Sequence, residues 1–361
     1  MGTKASSPIQ TGGTQEPLEA LTQKNAALEK ENAELRRELQ QRQIDGPVAE
    51  KKKFLIIALD GGAMKGLITA LILQRLENAC PGLLARTHMF AGTSTGSIGA
   101  SVCAKGLSPE TLKELYYMHG ENIFRNKGIA TSLLDLGNIL GSKFDNEPLK
   151  QAVASIFPSS FKLRDLGKKI LISAFDCDGE SLPGNKQRRK CWSAKFLHNF
   201  NDEGEETVLD CILASTAAPT YFPLYHGFAD GGLVCNEPVM AAISQVVSAK
   251  YGSCRLEDIV VLNVGTGEVE NVLDTTPDAN LGIAQWILPL ISIFQFGQQE
   301  MTAFQGSALL GHRYHRCSPP LRGSKVDPWD SSHDNLMEME RVVNEFDLEP
   351  TIQFIREHFR E

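Results

Sequence analysis

The residues whose types and spacing could do chemistry fall in three short stretches. Gly92-Thr93-Ser94-Thr95-Gly96 has the G-x-S-x-G pattern of a nucleophile elbow, placed after an apolar run and before a helical one. A sharp strand-to-helix turn would lift the Ser94 hydroxyl above the sheet edge, with Gly92 and Gly96 letting strand and helix approach each other. The helix N-terminus beneath would favour negative charge developing there. The competing reading is a plain helix cap, in which Ser or Thr accepts from backbone N–H groups. Asp60-Gly61-Gly62-Ala63-Met64-Lys65-Gly66 follows the first apolar run. A Gly-rich βα turn aims several backbone N–H groups at one point and can hold an oxyanion or a phosphate. A dinucleotide site fits poorly, because Ala63 stands where G-x-G-x-x-G needs a glycine and no acidic ribose partner ends the next strand. Asp230-Gly231-Gly232 sets a carboxylate at the end of an apolar segment; taken alone it reads first as a turn and second as a catalytic group. His312 and His315 lie downstream, so a Ser…Asp…His order is formally available.

The elements that must position these residues alternate. Residues 54–59 (FLIIAL) form an apolar run bounded by a Gly turn, the pattern of a strand buried on both faces. Residues 67–79 have helical apolar spacing, 88–91 a short strand, and 97–104 a helix. Strands are expected at 170–175 and 259–264, and helices at 208–215 and 238–250. Such alternation predicts an α/β fold, a mostly parallel sheet with helices on both faces.

Composition narrows the class. Of 361 residues, 42% are hydrophobic and 22% charged, as in ordinary globular proteins. A formal net charge of −8 argues against a nucleic-acid partner. The eight cysteines are spread singly with no C-x-x-C pair, so no zinc or thioredoxin-like site is expected, and reduced thiols suit a cytoplasmic protein. The polar N-terminus shows no signal-peptide h-region. Met1-Gly2-Thr3-Lys4-Ala5-Ser6 fits the N-myristoylation pattern.

Residues 1–17, rich in Ser, Thr, Gly and Gln, are expected to be disordered. A heptad then runs through 18–43, with Leu18, Asn25, Asn32 and Leu39 at a and Leu21, Leu28 and Leu35 at d. Asn at a favours a parallel two-stranded register, in which Lys24 faces the partner's Glu29 and Glu31 faces the partner's Arg36. The expectation is a coiled-coil helix forming a parallel homodimer; a solvated single helix is the alternative. Asp45-Gly46-Pro47 opens a linker over 44–52, and 53–361 is the globular domain, with a helical C-terminal extension at 331–361. Residues 279–299 carry no charge but include Trp286, Leu290, Ile291, Phe294 and Phe296. They read either as a buried core helix or as an apolar lip facing a lipid surface.

The three chemical stretches, in this order, resemble the patatin-like phospholipase family. So do residues 213–223 (LASTAAPTYFP), 230–238 (DGGLVCNEP) and 262–267 (LNVGTG). The resemblance covers 53–320 and leaves the heptad outside. It implies a lipid acyl hydrolase of phospholipase A, lysophospholipase or galactolipase type, acting on membrane or micellar lipid without metal or other cofactor. Ser94 would be the nucleophile and Asp230 the general base of a dyad, with backbone N–H groups of Gly61, Gly62 and Ala63 as oxyanion hole. Asp60, Lys65, Gly66, Gly92, Gly96, Gly231 and Gly232 would support these motifs. Burial of Asp230 would raise its pKa from about 3.9 and make it a better base. The family usually has Gly where Ala63 stands and often Arg where Lys65 stands. If position 63 requires a positive φ, alanine costs about 1 kcal/mol. The same alanine favours an alternative, a weakly active relative serving as a coiled-coil interaction module.

Overall fold

The computed structural model describes residues 27, 29–34, 53–126, 141–179, 191–201, 203–269 and 280–360. The chain divides into Met1–Lys52 and Lys53–Glu361. In the first unit, residues 27 and 29–34 are helical with exposed side chains. The rest of the heptad, the 1–17 segment with Gly2, and the 44–52 linker lie outside the described residues.

The second unit is built on β1 (Phe54–Leu59), β2 (Met89–Thr93), β3 (Lys169–Asp176), β4 (Ser193–His198), β5 (Phe228–Asp230), β6 (Ile259–Val264) and β7 (Tyr314–Cys317). The strand order is β4-β3-β2-β1-β6-β7, with β5 also paired to β3. The run β3-β2-β1-β6-β7 is parallel, whereas β4 and β5 are antiparallel to β3. Besides the single turn Leu83–Arg86, the unit's α-helices among the described residues are α1 (Gly66–Ala79), α2 (Thr95–Ala104), α3 (Pro109–Ile123), α4 (Asn146–Ile156), α5 (Val208–Ser215), α6 (Val239–Val247), α7 (Ile283–Leu310), α8 (His333–Glu345) and α9 (Glu349–His358).

Strand side chains alternate between two cores, as the period of two requires. Leu55, Ile57, Leu59, Phe90, Ile172 and Leu262 face one core with α1 to α5, α8 and α9. Ile56, Ala58, Met89, Ala91, Leu171 and Val261 face the other, closed by α6 and by Leu310 at the end of α7. The central strands are therefore apolar on both sides, which is why 54–59 reads as a continuous apolar run.

The sheet sets up the site through one edge of β3. β4 occupies one edge of this strand from Leu171 to Asp176. On the other edge β2 pairs in parallel as far as Thr93↔Ser173, and the next residue, Ala174, pairs with Asp230 of antiparallel β5. The end of β2 and the end of β5 are thus brought face to face along a shared neighbour.

The C-terminal extension is two helices, α8 and α9, joined near Phe346 to Leu348. The uncharged stretch is the first part of α7, which carries Pro289 inside it. A buried core helix was one expectation for it, and the structure overturns that: Trp286, Leu290, Ile293, Phe294 and Phe296 are all exposed. Among the described residues no helix is long and apolar enough to cross a membrane.

Candidate active site

β2 ends at Thr93 and α2 begins at Thr95, so Ser94 is itself the turn, at φ 53 and ψ −124. A non-glycine residue held there stores on the order of 1–3 kcal/mol of backbone strain. Neighbours pin it: Ser94 N–H donates to Ser215 Oγ at 2.9 Å. The Ser94 carbonyl accepts from the Ser97 N–H at 2.8 Å and the Ser97 hydroxyl at 2.6 Å. A Cβ at Gly92 would run into the Gly96 carbonyl, and one at Gly96 into the Leu59 carbonyl. Both glycines are therefore set by close approach of strand and helix. The Ser94 side chain makes no capping bond. Its Oγ instead donates to Asp230 Oδ2 at 2.6 Å.

Asp230 sits at the end of β5 and is 5% exposed. Its other oxygen, Oδ1, accepts from the Gly232 N–H at 2.6 Å, so the residue both closes the Gly231–Leu233 turn and meets the serine. The turn and the carboxylate partner are one structure. A Cβ at Gly231 would collide with the Ser173 carbonyl, which keeps that turn against β3. Burial pushes the Asp230 carboxyl up to about 6, against the opposing pull of the Ser94 hydroxyl and the Gly232 N–H.

The histidines stand elsewhere. His315 Nε2 lies 2.9 Å from Thr351 Oγ1 and its ring stacks on Phe354; His312 lies against His358. The Ser…Asp…His order available in sequence is not assembled.

The Gly-rich turn approaches from β1. Gly61 N–H donates to the Asn236 carbonyl at 3.1 Å, and the Gly61 carbonyl accepts from Thr266 Oγ1 at 3.0 Å. Gly61 therefore spends its N–H on the protein rather than presenting it. Met64 N–H donates to the Pro328 carbonyl and Lys65 N–H to the Gly62 carbonyl, each at 3.0 Å. With these committed, Gly62 and Ala63 are the turn's candidate oxyanion donors, at the open N-terminal end of a 3-10 turn. Ala63 has φ 50, so the position does require the left-handed region that glycine adopts without cost. At Gly66 a Cβ would collide with the Tyr116 hydroxyl, which hydrogen-bonds Thr95 Oγ1.

Behind the turn, Asp60 is 2% exposed. It accepts from Asn263 Nδ2 at 2.6 Å and from Arg316 Nη1 at 2.8 Å. Burial raises its carboxyl, and the Arg316 charge opposes that. Burial also lowers the Lys65 ammonium to about 8, with the Asp60 carboxylate opposing. Ser215, Asn236, Asn263 and Thr266 lie in the three longer motifs, but their residue types alone carry no role there. Nothing in the sequence marked Arg316.

An apolar cavity opens at Ser94. Its volume is about 30 Å³, and it is lined by Ala63, Ser94, Ile98, Leu149, Phe222 and Trp329 among others. Trp329 lies just before the C-terminal extension and stacks on Tyr221 with ring centroids 3.5 Å apart. On another side, α7 packs by Gln298, whose Nε2 donates to the Val234 carbonyl at 3.0 Å, just past the Asp230 turn.

The fold and site define a class: a mostly parallel α/β sheet covered on both faces, with a strained strand-to-helix elbow presenting a serine to a buried aspartate. The Patatin-like phospholipase family model matches residues 57–243, and the chain belongs to that family. Protein teg of Priestia megaterium is 28% identical over 337 residues, spanning 85% of this chain and 99% of that protein. A cGAMP-activated phospholipase of Escherichia coli is 27% identical over 245 residues, spanning 62% and 64%. Patatin-like protein 2 of Arabidopsis thaliana is 23% identical over 299 residues, spanning 70% and 71%.

Proposed function

We propose that the protein hydrolyses acyl esters of phospholipids or related glycerolipids, with Ser94 as nucleophile and Asp230 as its base. The observation that carries this is the 2.6 Å hydrogen bond from Ser94 Oγ to a buried carboxylate, made on a strained elbow at the mouth of an apolar cavity. Ser94 Oγ attacks the acyl carbonyl while its proton passes to Asp230. The oxyanion is held by the N–H groups of Gly62 and Ala63, each such donor being worth about 3–4 kcal/mol in the transition state. The tetrahedral intermediate expels the alcohol, which takes the proton from Asp230, and the acyl group remains on Ser94. Asp230 then takes a proton from water, the hydroxide attacks the acyl-enzyme, and Ser94 regains its proton as the fatty acid leaves. A carboxyl with a pKa of about 6 is ionised at neutral pH yet basic enough to share the serine proton.

The apolar lining beside Ser94 suits contact with an acyl chain, and the exposed apolar side chains of α7 suit contact with the lipid surface from which it comes. This supports action as a peripheral enzyme of phospholipase A or lysophospholipase type. The positive φ of Ala63 favours one alternative, low turnover in a protein whose heptad serves association. A lipid-class screen with a Ser94→Ala control, plus mapping of an organophosphonate adduct, tests the proposal. The expected outcome is Ser94-dependent release of fatty acid and an adduct on Ser94. An adduct elsewhere, or full activity in Ser94→Ala, overturns it; a silent panel with an intact dimer supports the alternative.

A further inference from the structure

The C-terminal rim of the sheet buries a charge cluster that the proposed chemistry does not use. Arg316, on β7, has a side chain 14% exposed. Its Nη1 lies 2.8 Å from Asp60 Oδ2 and 2.6 Å from Glu237 Oε1, and its Nε lies 3.1 Å from Glu268 Oε1. The Asn263 side-chain carbonyl also accepts from Nη1. One guanidinium thus meets three carboxyl groups on three different loops.

Those loops are the ones that fix the Gly-rich turn. Asp60 is the residue before Gly61. Glu237 is the residue after Asn236, whose carbonyl takes the Gly61 N–H at 3.1 Å and whose Nδ2 donates to the Gly61 carbonyl at 3.4 Å. Glu268 lies two residues after Thr266, whose hydroxyl donates to that same carbonyl at 3.0 Å. Each contact that orients Gly61 is therefore anchored, one or two residues away, to Arg316. The planar fork matters here, because a lysine ammonium is a point charge and cannot hold several carboxylates in a fixed plane. Burial, and then the Asp60 charge, push the Glu237 carboxyl up, and the Arg316 charge opposes both, so Arg316 is the cation against which this buried acid is placed.

We propose that Arg316 is a positioning residue for the oxyanion turn, acting through Asp60, Glu237 and Glu268 on Gly61 and hence on the N–H groups of Gly62 and Ala63. The inference rests on the hydrolase reading above. Misplacing a donor by about 1 Å costs on the order of 10²-fold in rate, without weakening binding of the acyl chain in a cavity that Arg316 does not line.

The test uses the full chain, wild type, Arg316→Ala and Arg316→Lys, hydrolysing p-nitrophenyl butyrate. Active sites are titrated to completion with a p-nitrophenyl alkylphosphonate, so that kcat refers to folded sites only. Arg316→Ala is expected to lose about 10²-fold in kcat per titrated site with KM within about 3-fold of wild type. Arg316→Lys is expected to recover part of that loss, and it carries the comparison if the alanine variant does not fold. Wild-type kcat per titrated site in the lysine variant, or activity lost only in proportion to sites lost, overturns the positioning role. A wild-type chain with no Ser94-dependent turnover overturns the hydrolase reading itself and the inference with it; there all chains are silent, not only the variants.

Discussion

Replacing Asp230 by asparagine is expected to destroy hydrolysis and to make the protein more stable. In the folded chain the Asp230 carboxyl titrates near 6 because it is buried, against 3.8 for the free group. A raised acid is neutral in both states below 3.8, and there it costs nothing. As pH climbs through 3.8 the unfolded chain ionises first, and the native state loses stability until it ionises too, above 6. The gap from 3.8 to about 6, at 1.36 kcal/mol per pH unit, comes to about 3 kcal/mol at pH 8. Roughly half of it, about 1.5 kcal/mol, accrues between pH 5 and pH 8. Asparagine has the same shape, can still accept from the Gly232 N–H, and can turn its amide to Ser94 Oγ, so the hydrogen bonds of 2.6 Å have counterparts without the charge. Urea unfolding of wild type and Asp230→Asn at pH 5 and pH 8 measures the difference. The variant should be more stable at pH 8 by up to about 3 kcal/mol, with an advantage that shrinks at pH 5. Wild-type kcat/KM should fall below a midpoint near pH 6 as the base is protonated. A variant less stable than wild type at pH 8, or an advantage that does not grow with pH, would refute the claim that a buried carboxylate is held here at a cost for function.

Three further outcomes follow from the site and its surroundings. Ala63→Gly removes about 1 kcal/mol of strain at φ 50, but the freer unfolded chain offsets about 0.4–1 kcal/mol of it. Stability by urea unfolding should then stay within about 1 kcal/mol and turnover should not fall; a tenfold loss would show that alanine places the donors better than glycine. Phe294→Glu with Phe304→Glu, both exposed on α7, should leave p-nitrophenyl butyrate hydrolysis intact and cut hydrolysis of phospholipid vesicles by about 10-fold or more, since a buried Phe is worth about 1.5–3 kcal/mol. Equal activity on vesicles would remove α7 from the lipid-facing surface. Deleting residues 1–45 should halve the sedimenting mass if the 18–43 heptad pairs two chains, whereas an unchanged monomer mass would end the dimer idea.

The features legible in the sequence are those that sterics settle locally. Gly92 is required because strand and helix touch at the elbow, and that demand lies within five residues of Ser94; Gly96 belongs to the same motif but is required by the Leu59 carbonyl of β1. The apolar run of β1 is legible because a parallel strand is buried on both faces, whatever its neighbours are. Ala63 marks itself because only glycine takes a positive φ freely, and the structure gives that residue φ 50. The short β5 and the antiparallel β4 carry no such signal: three residues are too few for a period, and β4 is partly exposed. The exposed face of α7 is also invisible locally, since an uncharged helix reads the same whether its apolar side chains meet a core or solvent.

The sequence by itself determined which residue could be a strained nucleophile, because the elbow is a property of one short turn. Tertiary structure alone decided what that serine meets. Asp230 reaches it across 136 residues because β3 hands one edge from β2 to β5 between Ser173 and Ala174, a matter of sheet register. The same long-range packing sends His312 and His315 to α9, spends the Gly61 N–H on Asn236, and gathers Asp60, Glu237 and Glu268 around Arg316. Local periodicity sets which face of a strand is buried. Which strand lies beside it is set by the competition among all edges in the folded chain, and the site is made at such an edge.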